Sequence, residues 1–226
     1  MSRWKVKFLV EAWLGSRINL HNSHEVIEEC AKLAYKDMLT GGRFYYDKLN
    51  EMLVEEEDPQ TLRCQKLISL LEENNYIFSR DLVKNVSMLF GHKEIITKPR
   101  PNNKNNYVTR FGLAQKFVNM MFKYLYVLSD CTGLNINFSN CDCPLDSKIL
   151  QKLTPLVPKE LRWTKLDYKS YIYCQDVIKA ELKKMTVDEE LKKLGNLAYD
   201  FLFWSNQDNE DDQKSFYANS NVVLGI

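Results

Sequence analysis

The stretch from Phe111 to Leu128 constrains this chain most. Phe117, Met120, Met121, Tyr124, Leu125 and Leu128 recur at three- and four-residue spacings, the period of a helix with a wide core-facing surface. The same period runs through much of the sequence. Residues 24–39 start at Ser23-His24-Glu25, place Val26, Ile27, Cys30, Leu33, Ala34 and Met38 on one face, and stop at Gly41-Gly42. Phe44–Leu53 reads as a short second helix. Asp58-Pro59 opens a third, with proline at its first helical position and Leu62, Leu67, Leu70 and Leu71 as its stripe. Further helices are expected over 80–90, 145–153, 167–184 and 186–204. Gly91–Asn106, with Pro99, Pro101 and four asparagines, reads as an exposed polar connection, and Ser129–Pro144 as a second loop. No strand-like alternation stands out. The expected fold is all-α and two-lobed, a single unit over 1–226 with approximate lobes 1–95 and 96–205 and a polar tail, 206–226, whose last five residues are apolar.

Composition narrows the class of protein. The 226 residues are 45% hydrophobic and 27% charged, ordinary for a soluble globular chain. No apolar run approaches the length of a membrane span. The start, Met1-Ser2-Arg3-Trp4-Lys5, lacks the pattern of a secretory signal; the expected location is the cytoplasm of a bacterium, archaeon or virus-infected cell, and the expected state a monomer. Cys30, Cys64, Cys131, Cys141, Cys143 and Cys174 include one Cys-x-Cys pair but no second pair or histidine cluster to complete a zinc site. They read as buried free thiols, and neither metal nor cofactor is expected. His21, His24 and His92 have no evident partners. Net charge is only +1, yet residues 93–123 hold Lys93, Lys98, Arg100, Lys104, Arg110, Lys116 and Lys123 against Glu94 alone. Such a strip is either a solvated face or a phosphate-contacting surface.

Two short motifs carry chemistry. Arg110-Phe111-Gly112-Leu113-Ala114-Gln115-Lys116 reads as a tight turn of small residues leading into the long helix, with a lysine just inside it. Cys143-Pro144-Leu145-Asp146-Ser147 places an aspartate where it caps the next helix, a position that favours the ionised carboxylate. Each has an ordinary explanation by itself: a lysine at a helix start, and an N-cap. Together and in this order they resemble the helix-hairpin-helix superfamily of DNA glycosylases. There, two small residues let backbone amides approach a DNA phosphate, a catalytic lysine follows, and a Pro-Val-Asp motif supplies the aspartate. Ala114 replaces the second glycine of that pattern. The 30-residue separation of Lys116 and Asp146 is similar to that of the archaeal 8-oxoguanine DNA glycosylases, as are Lys123, seven residues after Lys116, and the Asp200-x-x-x-Trp204 pair. The resemblance spans residues 110–204.

The resemblance implies a double-stranded DNA partner carrying a damaged or modified base, and a bifunctional glycosylase and abasic-site lyase. Lys116 is then the nucleophile and Asp146 its carboxylate partner. Asp146 is implied to help deprotonate Lys116 and to steady the oxocarbenium-like transition state; Asp200, Trp204 and Lys123 hold the flipped base, and burial in the pocket or nearby Lys123 lowers the basicity of Lys116. Arg100, Lys104, Arg110, Gly112 and Ala114 contact the DNA backbone. The implied substrate is 8-oxoguanine. A hypermodified base in phage DNA, which would make the protein a defence factor, is the alternative within the same chemistry; a non-catalytic helix-hairpin-helix binding module and an all-helical interaction protein are the alternatives outside it. Phe117, Met120, Met121 and Phe122 are expected in the core, and Tyr45, Tyr46, Tyr124 and Tyr126 in packing roles.

Overall fold

A computed structural model describes residues 22–40, 59–90, 95–96, 107–129 and 134–204. The helix at Phe44–Leu53, the Gly41-Gly42 stop, Cys131, His21, His92, Arg100, Lys104 and the tail from 206 lie outside the described residues. The described chain is helical: α1 (Ser23–Thr40), α2 (Pro59–Glu73), α3 (Arg80–Ser87), α4 (Arg110–Val127), α5 (Ser147–Leu153), α6 (Tyr168–Leu182), α7 (Glu189–Lys192) and α8 (Leu197–Trp204), with single 3-10 turns at Met88–Phe90 and Trp163–Lys165. No described helix is long and apolar enough to cross a membrane.

Helix α4 is the axis of the molecule. Every residue from Phe111 to Val127 is buried, so this helix has no solvent face. One side packs on the N-terminal helices. Phe117 meets Tyr35 of α1 edge-on at 5.5 Å between ring centres, and Phe122 meets Phe78, just before α3, at 5.2 Å. Such ring pairs contribute beyond the area they bury. The Tyr124 hydroxyl donates to Asp37 of α1 at 2.6 Å, and that of Tyr126 to Glu190 of α7 at 2.7 Å. One continuous core among the described residues runs from Val26 to Leu202 through α4.

Three sequence expectations need correction. The tight turn expected at Gly112 is instead the first turn of α4: Thr109 is the N-cap, its hydroxyl accepting the Gly112 amide at 2.9 Å, and a capped third amide lets the helix begin at Arg110. Gly112 is needed for another reason, since a Cβ there would lie 2.5 Å from the Trp163 carbonyl oxygen. The segment 91–106, expected to be all loop, contributes a short strand β1 (Ile95–Ile96), antiparallel to β2 (Tyr107–Val108) with Ile95 opposite Val108. The single helix expected over 186–204 is two. Gly195 sits between α7 and α8 at φ 57°, a left-handed conformation that interrupts a helix and suits glycine, and a Cβ would there meet the Ser139 carbonyl.

Candidate active site

Four polar residues interrupt the buried helix α4: Gln115, Lys116, Asn119 and Lys123, none more than 6% exposed. A buried polar group is costly unless bonded, so their partners define the site.

Lys116 Nζ lies 2.9 Å from Asp146 Oδ2, with side-chain exposures of 8% and 27%. Asp146 divides its oxygens between two tasks. Oδ2 takes the lysine, while Oδ1 accepts the Ile149 amide at 2.9 Å and caps α5. Burial by itself would raise the Asp146 carboxyl, but the Lys116 charge and the Ile149 amide outweigh it and hold the group below its ordinary value. Asp146 is therefore an ionised, weakly basic carboxylate in the resting state.

Seven residues along the same helical face, Lys123 Nζ meets Asp200 Oδ2 of α8 at 2.5 Å, and both side chains are almost fully buried, at 2% and 4% exposed. Here desolvation wins: burial raises the Asp200 carboxyl despite the lysine beside it. The Cys143 thiol lies within the field of all four charged groups, and burial holds it protonated, well above its ordinary range. Lys123 and Asp200, both expected to contact a base, are in this structure each other's partner. Trp204 ends α8, four residues after Asp200; its side chain lies outside the described residues.

The pairing of Lys116 with Asp146 depends on how the extended segment 141–146 is held. Gln115 grips Leu145 twice: its Nε2 donates to the Leu145 carbonyl at 2.8 Å and its Oε1 accepts the Leu145 amide at 3.1 Å. Gln175 of α6 does the same to Cys143, at 2.7 and 3.0 Å. Asn119 Nδ2 adds a bond to the Cys143 carbonyl at 3.3 Å and one to the Tyr171 hydroxyl at 3.0 Å. Asp142, 3% exposed, accepts from Tyr171 at 2.9 Å and from Arg80 through Nε at 2.9 Å and Nη2 at 3.2 Å. Each carboxamide replaces a missing β-partner, so a loop segment is fixed like a strand. Sequence reasoning missed this clamp. Its signal was the presence of Gln115 and Asn119, four residues apart, within an otherwise apolar helix.

The expected DNA-backbone residues are distributed differently. Arg110 is exposed at the start of α4, whereas Gly112 and Ala114 are buried. The Gly112 amide is committed to Thr109. Of the basic strip, Lys116 and Lys123 are consumed in ion pairs, which removes them from any phosphate-contacting surface. Ser147, Gln151, Lys159, Arg162 and Trp163 are among the residues that line a groove of about 500 Å³; neither Lys116 nor Asp146 lines it. The five described cysteines are all buried and free; burial pushes the Cys174 thiol up to about 11. His24 has a partner after all, Glu28 at 3.5 Å on the exposed face of α1. Among the described residues, no three His, Cys, Asp or Glu side chains are grouped to hold a metal ion.

No protein-family model, no curated protein and no solved structure matches this chain.

Proposed function

We propose that the protein is a lysine-dependent DNA glycosylase of the helix-hairpin-helix kind, with an accompanying lyase activity. The observation that carries this reading is the part-buried contact of Lys116 with Asp146, 30 residues apart in sequence and 2.9 Å apart in space. A lysine so held is preset for attack, and a carboxylate at the same point is preset to balance positive charge.

The chemistry follows from these two groups. A flipped nucleotide enters beside Asp146. Lys116 Nζ, once deprotonated, attacks C1′ of the sugar. The glycosidic bond breaks, its electron pair leaves with the base, and the base takes up a proton. Nζ then gives up a proton to solvent, and its lone pair forms the C1′=N bond as the C1′–O4′ bond breaks and O4′ takes up a proton, leaving a protonated Schiff base. Loss of a C2′ proton eliminates the 3′-phosphate and nicks the strand. Because the Asp146 carboxyl is held below its ordinary value, its part is to face the oxocarbenium-like transition state as a charge. It is a poor resting base, so the Lys116 proton passes to solvent as substrate displaces the ion pair.

The Gly112 amide is already bonded, so we assign the grip on phosphate to Arg110 and to Lys159 and Arg162 along the groove. The base is 8-oxoguanine in this reading, with a hypermodified base as the competing substrate.

The test is covalent trapping. Duplexes carrying 8-oxoguanine, uracil, an abasic site or a glucosylated base are incubated with the protein and borohydride. An adduct that disappears in Lys116→Gln is the expected result. Absence of an adduct with every duplex, or one unchanged in Lys116→Gln, overturns the Schiff-base reading.

A further inference from the structure

Ser139–Asp142 help line a second, larger concavity of about 740 Å³. It touches neither Lys116 nor Asp146. Four cations line it: Arg80 at the start of α3, Lys179 in the last turn of α6, Lys183 at the C-cap of α6, and Lys192 at the end of α7. Asp142 is the one carboxylate in the lining, and it lies at the floor, 3% exposed.

The cations are not equivalent. Arg80 is locked from behind, since Nε and Nη2 are both bonded to Asp142 while the side chain stays 35% exposed. That leaves Nη1 of a preset guanidinium for an incoming acceptor, the geometry in which arginine recognises phosphate best. Lys192 is neutralised at the rim by Glu189 at 2.6 Å. Lys179 and Lys183 stand four apart on one helix, an arrangement in which like charges repel. No described carboxylate pairs with either. An anion between them and Arg80 relieves that repulsion.

The remaining wall is apolar. Phe78, Leu182, Met185 and Val187 form it, with Ser139 and Asn140 as polar groups at the edge. Phe78 is held by its edge-on contact with Phe122 in the core. Cations, apolar side chains and a few hydroxyl and amide groups around a space of this size suit a ligand with an anionic group and an apolar body.

We infer that this cavity binds a nucleoside phosphate, its phosphate between Arg80, Lys179 and Lys183 and its base against Phe78 and Met185. The ligand is either a free nucleotide or the 5′-phosphorylated end of a strand, which present the same group. The inference does not rest on the glycosylase reading, because Lys116 and Asp146 are outside the cavity.

The experiment is calorimetric titration of the full chain with ADP, with adenosine, and with a 5′-phosphorylated trinucleotide, at about 0.15 M salt. Saturable binding of ADP or of the trinucleotide, with none of adenosine, is expected. Binding of ADP alone assigns a free nucleotide, and binding of the trinucleotide assigns a strand end. In Lys179→Glu/Lys183→Glu, both exposed positions, affinity should fall at least about tenfold, the loss expected for a charge-assisted contact. Lys116→Gln should bind as the parent does, which separates this site from the proposed catalytic one. No saturable binding of either phosphate ligand, equal binding of adenosine, or undiminished binding by the double variant overturns the inference.

Discussion

Asp146 shows how much one side chain carries here. One oxygen caps α5 and the other holds Lys116, so the capping role and the proposed catalytic role are compatible in one side chain. They separate by mutation. Asparagine caps a helix about as well as aspartate but has no charge for a transition state. Asp146→Asn should therefore unfold within about 1 kcal/mol of the parent, plus whatever the Lys116 pair contributes, while base release falls by at least about a hundredfold. Stability is read by urea titration, and base release by single-turnover kinetics on a duplex that traps. Full activity in Asp146→Asn would leave the residue only a cap. Lys123 and Asp200 make a different case. Both are nearly sealed from water, so removing one strands the other. Lys123→Met alone should cost about 3–5 kcal/mol, and Lys123→Met/Asp200→Leu clearly less. If the double variant is as unstable as the sum of the singles, the two side chains are not coupled.

At the scale of elements, α4 and the segment 141–146 are one device. The helix supplies Gln115, Lys116 and Asn119 from adjacent positions, and the segment offers the Cys143 and Leu145 backbone to two of them and Asp146 to the third. The start of α4 is fixed separately, by backbone contact with the 3-10 turn at Trp163–Lys165. Thr109 donates its amide to the Thr164 carbonyl at 2.7 Å, and its hydroxyl bonds the Leu166 carbonyl at 2.5 Å. A methyl group at 112 would enter that contact 2.5 Å from the Trp163 oxygen. Gly112→Ala is thus expected to destabilise by about 1–3 kcal/mol through overpacking rather than by losing a phosphate contact. Thermal unfolding with and without a DNA duplex distinguishes the two. A normal melting temperature with weakened DNA binding would restore the hairpin role to Gly112. The period of α4 was legible in the sequence because seventeen consecutive buried residues from Phe111 to Val127 leave a strong apolar pattern. The break at Gly195 was not, because its cause is the approach of the Ser139 carbonyl, a contact from a part of the chain far away in sequence.

For the whole molecule, the two ion pairs give opposite responses to acid. The Asp146 carboxyl lies below its ordinary value when folded, so its contribution is present above about pH 4 and is lost as pH falls through the folded value. The Asp200 carboxyl is raised, so the folded chain takes up that proton first, and falling pH relieves a penalty there. The stability difference between the parent and Asp146→Asn should therefore shrink as pH drops from about 5 to about 3. A difference that stays constant over that range in urea titrations would mean that Asp146 has the same acidity in the folded and unfolded chain.

The sequence by itself determined that the described chain is mainly helical and that a long buried helix runs through Phe111–Val127, and it singled out Lys116 and Asp146, which the fold brings together. Periodicity, capping and composition are local, and local signals survive in one dimension. Only the tertiary structure decided which charges meet. It took Lys116 and Lys123 out of the basic strip by pairing them with Asp146 and Asp200, and turned Gln115 and Gln175 into substitutes for a β-strand. Buried polar groups must find partners wherever the fold places them, and the partners here lie 30 to 77 positions away in the chain.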